Sequence, residues 1–262
     1  MKILILGQEG YLGGYLYKNL QDLFSIDILE KLSLPAKERK IYDTGISYDY
    51  IINCIGKPNL EYCEKNVEET LYSNGTVVSD IIKFYPNAKL INFSSYYVYD
   101  DFGLCDENSK TTTDYQYCMQ NLLGEELNPD GVNFRVGKLF GNPNSRQGKL
   151  TDFVIENNKL TLDDVKFNPT SVQQILTVIK YELKNNDLEG IYNLSNSGYT
   201  SHYEYGLHIK QLLGCEPQIT HIKKMKRDFK NYGKFLMSTQ KIESKIKLTS
   251  WKEDLKTFIK KC

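Results

Sequence analysis

Apolar residues in this chain fall into short unbroken runs separated by stretches of helical period. "KILIL" (residues 2–6) stops at a glycine; "SIDIL" (25–29), "YIINCIG" (50–56), "KLINFS" (89–94), "VNFRVGKLFG" (132–141) and "GIYNLSN" (190–196) repeat the pattern. Runs of this length suit strands buried on both faces of a parallel sheet. Between them, Leu12, Leu16, Leu20 and Leu23 fall on one helical face, and "VEETLYSNGTVVSDIIKFY" (67–85) reads as a helix that tolerates Asn74 and Gly75 inside it. Further helices are predicted around 116–127, over 170–186 and over 201–214. Strand and helix in alternation imply parallel pairing through right-handed crossovers, an α/β sheet of the doubly wound type. After about residue 142 the rhythm loosens, so residues 143–262 are expected to complete the sheet and form a smaller C-terminal lobe, with a cleft between the two parts.

The turn after the first run carries the picture from fold to chemistry. "LGQEGYLGG" sets Gly7, Gly10 and Gly13 in a G-x-x-G-x-x-G spacing between a strand and a helix. There the first glycine permits a tight turn, the second lets backbone approach a pyrophosphate, and the third lets helix and strand pack closely. Backbone N–H groups of the first turn, at Tyr11, Leu12 and Gly13, then meet the phosphates with the helix dipole behind them. Residues 1–142 are therefore expected to be mainly an NAD(P)-binding domain of Rossmann type. An acidic residue at the end of the second strand favours a free ribose 2′-hydroxyl and a basic one its phosphate. "DILEK" offers both Glu30 and Lys31, which leaves NADPH and NADH open.

Composition narrows the partners. The chain has 262 residues, 40% of them hydrophobic, enough for a sizeable core. Lys+Arg and Asp+Glu both number 33, so no overall field gathers nucleic acid. Residues 221–262 hold 13 Lys+Arg against 4 Asp+Glu, a solvated basic face or a surface for a small anion. "MKILILG" is too short an apolar stretch for a signal peptide, and no segment approaches the roughly 20 apolar residues needed to span a bilayer. The cysteines at 54, 63, 105, 118, 215 and 262 form no C-x-x-C pair, and His202, His208 and His221 show no ligand spacing. The expectation is a reduced cytoplasmic protein with no metal site, no nucleic-acid partner and no membrane contact.

In this order, "GQEGYLGG", "INCIGKPNLEYCE" with "YSNGTVV", "INFSSYYVYD", "YCMQNLLGEEL", "FRVGKLFG", "FNPTSV" and "GIYNLSNSG" with "SHYEYG" cover nearly the whole chain. With them the sequence resembles the extended short-chain dehydrogenase/reductase superfamily, and within it dTDP-4-dehydrorhamnose reductase and the reductase domain of plant-type UDP-rhamnose synthases. The resemblance implies hydride transfer from a nicotinamide to the 4-keto group of a nucleotide-linked 6-deoxy sugar. It implies that Ser95 holds the reacting oxygen and that Tyr117 protonates it. Cys54, Ile55 and Gly56 match backbone lying along the cofactor, and Asn59, Tyr62 and Cys63 match a segment near the substrate. Tyr96 and Tyr97 are candidates for a wall against sugar and nicotinamide or for a core stripe. Arg135 is a candidate for substrate diphosphate or for an internal ion pair, and Asn168 for a turn beside the substrate. A homodimer is compatible with this reading.

Two positions depart from the family pattern. Where the family has lysine four residues after the tyrosine, this chain has Asn121, whose amide can hydrogen-bond the nicotinamide ribose but carries no charge to lower the tyrosine pKa. Tyr96 stands where relatives carry an aspartate or a cysteine, so acid/base chemistry for 3,5-epimerisation is not visible there. Three readings follow: a 4-ketoreductase that does not epimerise, a dinucleotide-binding regulatory subunit without catalysis, and an epimerase or dehydratase holding NAD⁺ tightly. Tyr117 itself is either the acid or one helix tyrosine among the 20 in the chain.

Overall fold

The computed structural model describes residues 1–29, 41–100, 103–145, 149–216, 218–223 and 235–261. Glu30 and Lys31, on which the choice of ribose turns, lie outside the described residues. In chain order the elements are β1 (Lys2–Leu6), α1 (Tyr11–Leu20), β2 (Ser25–Ile28), β3 (Tyr50–Asn53), α2 (Leu60–Lys65), α3 (Val67–Leu71), a π-helical turn (Tyr72–Thr76), α4 (Val77–Phe84) and β4 (Lys89–Ser95). A 3₁₀ turn (Tyr96–Val98) follows, then β5 (Gly103–Cys105), α5 (Gln116–Glu126), β6 (Val132–Val136), β7 (Lys138–Phe140), α6 (Leu150–Glu156), β8 (Lys159–Asp163), β9 (Lys166–Phe167) and β10 (Pro169–Ser171). The chain continues with α7 (Val172–Asn185), β11 (Gly190–Leu194), β12 (Thr200–Ser201), α8 (His202–Leu212), β13 (Gln218–Ile222), β14 (Phe235–Met237), α9 (Gln240–Glu243) and α10 (Trp251–Ile259).

Two compact units share these elements. The first comprises Met1–Val98, Thr111–Arg135 and Asp187–Tyr192; the second comprises Tyr99–Lys110, Val136–Asn186 and Asn193–Cys262. The chain therefore passes between units several times rather than dividing once near residue 142. The second unit takes as much of the chain as the first, so it is not a smaller lobe.

A six-stranded sheet in the order β11-β6-β4-β3-β1-β2 organises the first unit, with β1–β2, β1–β3 and β3–β4 parallel. Strand order reverses at β1, which has β2 on one side and β3 on the other; in open α/β sheets that reversal marks where ligands bind. The run "KILIL" is apolar at four consecutive positions because β1 is covered on both faces, and Ile3, Leu4 and Ile5 are fully buried. Helix α1 ends at Leu20, where Leu23 and Phe24 turn back to donate to the Leu20 carbonyl. Leu23, expected on the buried face, is consequently 59% exposed. The helix expected over 67–85 is present, but its middle widens into the π-helical turn containing Asn74 and Gly75, where Gly75 lies close against α5: a Cβ there would stand 2.9 Å from the Gln120 carbonyl oxygen.

The second unit is assembled from four two-stranded pairs: β7 with β10, β8 with β13 and β5 with β14 in parallel, and β9 with β12 antiparallel. Its core gathers Phe140, Leu162, Phe167, Tyr205, Trp251 and Leu255. Ser171 caps α7 by accepting from the Gln174 N–H, so that helix begins two residues later than the pattern at 170 suggests. A reciprocal Ser201–Glu204 capping box starts α8.

Candidate active site

The glycine turn occupies the reversal point of the sheet. Gly7 has φ +77°, and a Cβ on it would lie 2.7 Å from the Cys54 carbonyl carbon and 2.9 Å from the Ile55 nitrogen. A Cβ on Gly13 would lie 2.2 Å from the Gly7 oxygen. These two glycines are thus consumed by packing between turn, helix and β3. Gly10 differs: it is exposed, it is the N-cap of α1, and a Cβ there would meet only the Gly7 oxygen, at 3.2 Å. No side chain caps α1 and no acidic residue lies in its first turn. The side chains of Tyr11 and Leu12 are buried, so their offering at this end is backbone. Uncapped N–H groups beside an open glycine fit a pyrophosphate. Gln8 spans from this turn to the end of β2, its amide donating to the Leu29 carbonyl at 3.0 Å.

Backbone after β3 forms the adjoining edge. Cys54 N–H donates to the Leu6 carbonyl, Ile55 N–H to Asn53 Oδ1 at 3.1 Å, and Lys57 N–H to Asn74 Oδ1 at 2.6 Å. Gly56 is exposed, and a Cβ there would approach only Asn74 Oδ1, at 3.5 Å. Burial pushes the Cys54 thiol far above the ordinary range, so this cysteine stays neutral. Asn59 caps α2 by accepting from the Tyr62 N–H at 2.9 Å. The exposed Tyr62 donates its hydroxyl to Glu69 Oε2 at 2.8 Å, beneath a Lys57 ammonium 5.8 Å from its ring centroid. Cys63, expected near the substrate, is wholly buried and gives its thiol to the Lys57 carbonyl, so it shapes this loop from inside and has no surface to offer.

Ser95 is the last residue of β4, where the strand breaks into the 3₁₀ turn, and its hydroxyl accepts from the Tyr97 N–H at 3.2 Å. Tyr117 lies in the first turn of α5, 8% exposed, its ring edge-on to Tyr97 with centroids 6.5 Å apart. Three contacts fix this end of α5: Glu64 Oε1 accepts the Gln116 N–H at 2.7 Å, the Cys118 thiol donates to the Tyr97 carbonyl, and Asn121 Nδ2 donates to the Tyr117 carbonyl at 2.7 Å. Tyr97 in turn packs on Tyr96 at 4.5 Å, and Tyr96 is 6% exposed. Burial lifts the Tyr117 hydroxyl to about 12, against hydrogen bonds from Ser95 and, more weakly, Asn121 that favour its ionised form. The neighbouring thiols of Cys118 and Cys63 push the same way as burial. Asn121, an amide, brings no positive charge to oppose them.

Two further candidates are spoken for. Arg135 is buried and grips Glu125 with two hydrogen bonds, 2.9 Å from Nε and 2.7 Å from a terminal nitrogen, while Ser94 donates to the same carboxylate. This is the internal ion pair, not a group reaching for diphosphate. In the second unit, Asn168 acts as a strand partner: its Oδ1 accepts the Met237 N–H at 2.8 Å and its Nδ2 donates to the Met237 carbonyl. Its amide is engaged with backbone and has no spare reach toward a substrate.

The sequence reading missed the residues that hold these parts together. Asn74 donates to Gln120 Oε1 at 3.0 Å, and the fully buried Gln120 donates to Thr70, linking the loop after β3 to α5. The signal was present in Asn74–Gly75, a poorly helical pair inside a helical pattern, since π-turns favour functional positions. Among the described residues no group of His, Cys, Asp and Glu could hold a metal, no helix is long and apolar enough to cross a membrane, and Cys54, Cys63, Cys105, Cys118 and Cys215 are free thiols.

A glycine turn at the sheet reversal, with a serine at the end of β4 and a buried tyrosine in the first turn of α5, marks a dinucleotide-binding protein of Rossmann type. The chain belongs to the family described as the RmlD substrate binding domain, whose model matches residues 1–262. It is similar to an Arabidopsis thaliana trifunctional UDP-glucose 4,6-dehydratase/UDP-4-keto-6-deoxy-D-glucose 3,5-epimerase/UDP-4-keto-L-rhamnose-reductase, 24% identical over 227 residues covering 78% of this chain and 33% of that protein. The chain thus spans about a third of the length of the curated relatives it matches. In structure it resembles dTDP-4-dehydrorhamnose reductase from Yersinia enterocolitica (TM-score 0.84, 21% identity, 99% of each chain). It also resembles the Bacillus anthracis dTDP-4-dehydrorhamnose reductase in complex with NADP (TM-score 0.83, 19% identity, 100% of this chain and 99% of that one).

Proposed function

We propose that this protein reduces a nucleotide-linked 4-keto-6-deoxy sugar in the cytoplasm, with NADPH or NADH as reductant, in the making of an activated sugar for a glycan. The observation that carries the reading is that Ser95, at the end of β4, and Tyr117, in the first turn of α5, are both buried in the unit that also holds the glycine turn. The N-terminus of α1 would hold the pyrophosphate of a nicotinamide dinucleotide, with backbone at Cys54, Ile55 and Gly56 flanking it, and the reduced cofactor would supply the hydride. The chain's own part is proton handling. Ser95 orients the carbonyl oxygen, and Tyr117 passes its proton to that oxygen as negative charge develops. A hydroxyl raised to about 12 is fully protonated at neutral pH, which is the form a reductase needs. Asn121 donates to the Tyr117 carbonyl, and it is the residue this reading places beside the cofactor ribose. The reading assigns Tyr96 no part in a 3,5-epimerisation. Asn59, Tyr62 and Tyr97 are the residues of the first unit offered to the sugar nucleotide. A homodimer is the assembly to test for by light scattering.

The experiment is oxidation of NADPH and of NADH with a panel of dTDP-, UDP- and GDP-linked 4-keto-6-deoxy sugars. Saturable turnover with one of them is expected. Dinucleotide binding without turnover on any sugar contradicts the reading and favours the regulatory subunit, which the loss of the lysine at Asn121 keeps in view. Purified protein carrying NAD⁺ points instead to the epimerase or dehydratase.

Direction of proton transfer yields a pH prediction. In reduction Tyr117 must carry its proton, and a hydroxyl near 12 keeps it, so the rate attributable to this group is flat between about pH 6 and pH 9. In the reverse oxidation Tyr117 must be ionised, so that rate rises about tenfold per pH unit over the same range. Asn121→Lys lowers the pKa, brings the reverse limb to lower pH and raises forward turnover. Initial-rate profiles in both directions check this; a reverse rate indifferent to pH excludes Tyr117 as the proton carrier.

A further inference from the structure

Four asparagines form a hydrogen-bonded chain through the interior of the first unit. Ile55 N–H donates to Asn53 Oδ1 (3.1 Å), Asn53 Nδ2 to Asn92 Oδ1 (2.9 Å), Asn92 Nδ2 to Asn133 Oδ1 (3.3 Å), and Asn133 Nδ2 to the Asn128 carbonyl (2.9 Å). All four side chains are at most 4% exposed. Backbone fixes both ends: an N–H at Ile55 demands an acceptor, and a carbonyl at Asn128 demands a donor. These two demands set the orientation of every amide between them, with no alternative flip that satisfies both. Bonds aligned head to tail in a buried setting also polarise one another.

The placement of the ends gives the chain its meaning. Asn53 closes β3 and is in register with Leu6 of β1 and Asn92 of β4, so the first link lies at the carboxyl edge of the strands, where Gly7 packs against Cys54 and Ile55. Asn128 follows directly on α5, the helix that carries Tyr117, and its own N–H bonds the Glu125 carbonyl. The turn at Gly131 is shaped around the Asn128 amide, since a Cβ there would stand 2.2 Å from Asn128 Oδ1. Sheet packing alone does not call for amides at these positions: apolar residues of similar volume fill such space without needing partners.

We infer that Asn53, Asn92 and Asn133 are positioning residues that tie the dinucleotide-binding edge at Ile55 to the end of the tyrosine helix, and so set the affinity for the dinucleotide from inside the sheet. The inference rests on the dinucleotide reading above. It is tested on the full chain by titrating NADPH and NADH against intrinsic fluorescence in wild type and Asn133→Leu, with Asn133→Ser as a second variant should the leucine fail to fold. Ile81→Val, a truncation in the apolar core of this unit that removes no hydrogen-bonding group, serves as the stability control. Loss of the Asn133 link leaves Asn92 Nδ2 without its acceptor and is expected to weaken dinucleotide binding by roughly tenfold, with a matching rise in the cofactor KM. Ile81→Val should lower the urea midpoint with affinity unchanged. Asn133 variants that lose stability while binding both dinucleotides as tightly as wild type overturn the inference and leave the asparagines a purely structural role. A wild type that binds neither dinucleotide removes the reading beneath it, and the inference with it.

Discussion

Tyr117→Phe is expected to lower kcat by about 10²- to 10⁴-fold, the usual contribution of a positioned acid, with the dissociation constant for the dinucleotide unchanged. The split follows from what the substitution removes. Phenylalanine keeps the edge-on contact with Tyr97 and fills the same buried space, while only the hydroxyl is lost. Ser95 remains to orient the carbonyl oxygen, so residual turnover above background is expected. Steady-state rates alongside a cofactor titration check both halves. A variant with near wild-type kcat means that the tyrosine is a packing residue after all.

Arg135→Met is the substitution with the largest expected cost to stability, about 3–5 kcal/mol by denaturant unfolding. Both partners of the Arg135–Glu125 pair are buried, so removing the guanidinium leaves a carboxylate in the interior with the Ser94 hydroxyl as its remaining named partner. Arg135→Met combined with Glu125→Leu should recover most of the loss, because replacing both members of a buried pair by apolar groups is often close to neutral. A loss below about 1 kcal/mol in the single variant would fit an exposed pair and contradict the buried geometry. Glu125 sits on the helix of Tyr117, so the same experiment shows how far that helix depends on its distant end.

What could be read from the sequence was what local patterning dictates. "KILIL" betrays a central strand because both its faces are covered, and the glycine spacing betrays the turn because a Cβ on Gly13 would stand 2.2 Å from the Gly7 oxygen. Ser95, Tyr117 and Asn121 were singled out through the family resemblance rather than by patterning; the structure sets the first at a strand end and the other two four apart on one helix. Leu23 was misplaced because helical period does not show where a helix stops; the backbone turn at Leu20 does. Cys63 drew attention through the family resemblance, Asn168 as a turn residue and Arg135 as a charged residue in a strand, yet their side chains are taken up by backbone or by the Glu125 carboxylate, which periodicity cannot reveal. The asparagine chain was hidden for the same reason, since its links join residues 39 and 41 positions apart. Division into units was opaque because residues 99–110 and 187–192 each belong with segments remote in the chain.

The central claim is that hydride reaches C4 of a nucleotide-linked sugar while Tyr117 supplies the proton. The measurement closest to it is mass spectrometry and NMR of the product formed from NADPH or NADH deuterated at the transferable position of the nicotinamide. The account predicts one deuterium at C4 of the sugar, no exchange at C3 or C5 when the reaction is repeated in heavy water, and loss of labelled product in Tyr117→Phe. Labelled dinucleotide recovered unchanged, with every 4-keto-6-deoxy sugar in the panel also unchanged, would contradict it.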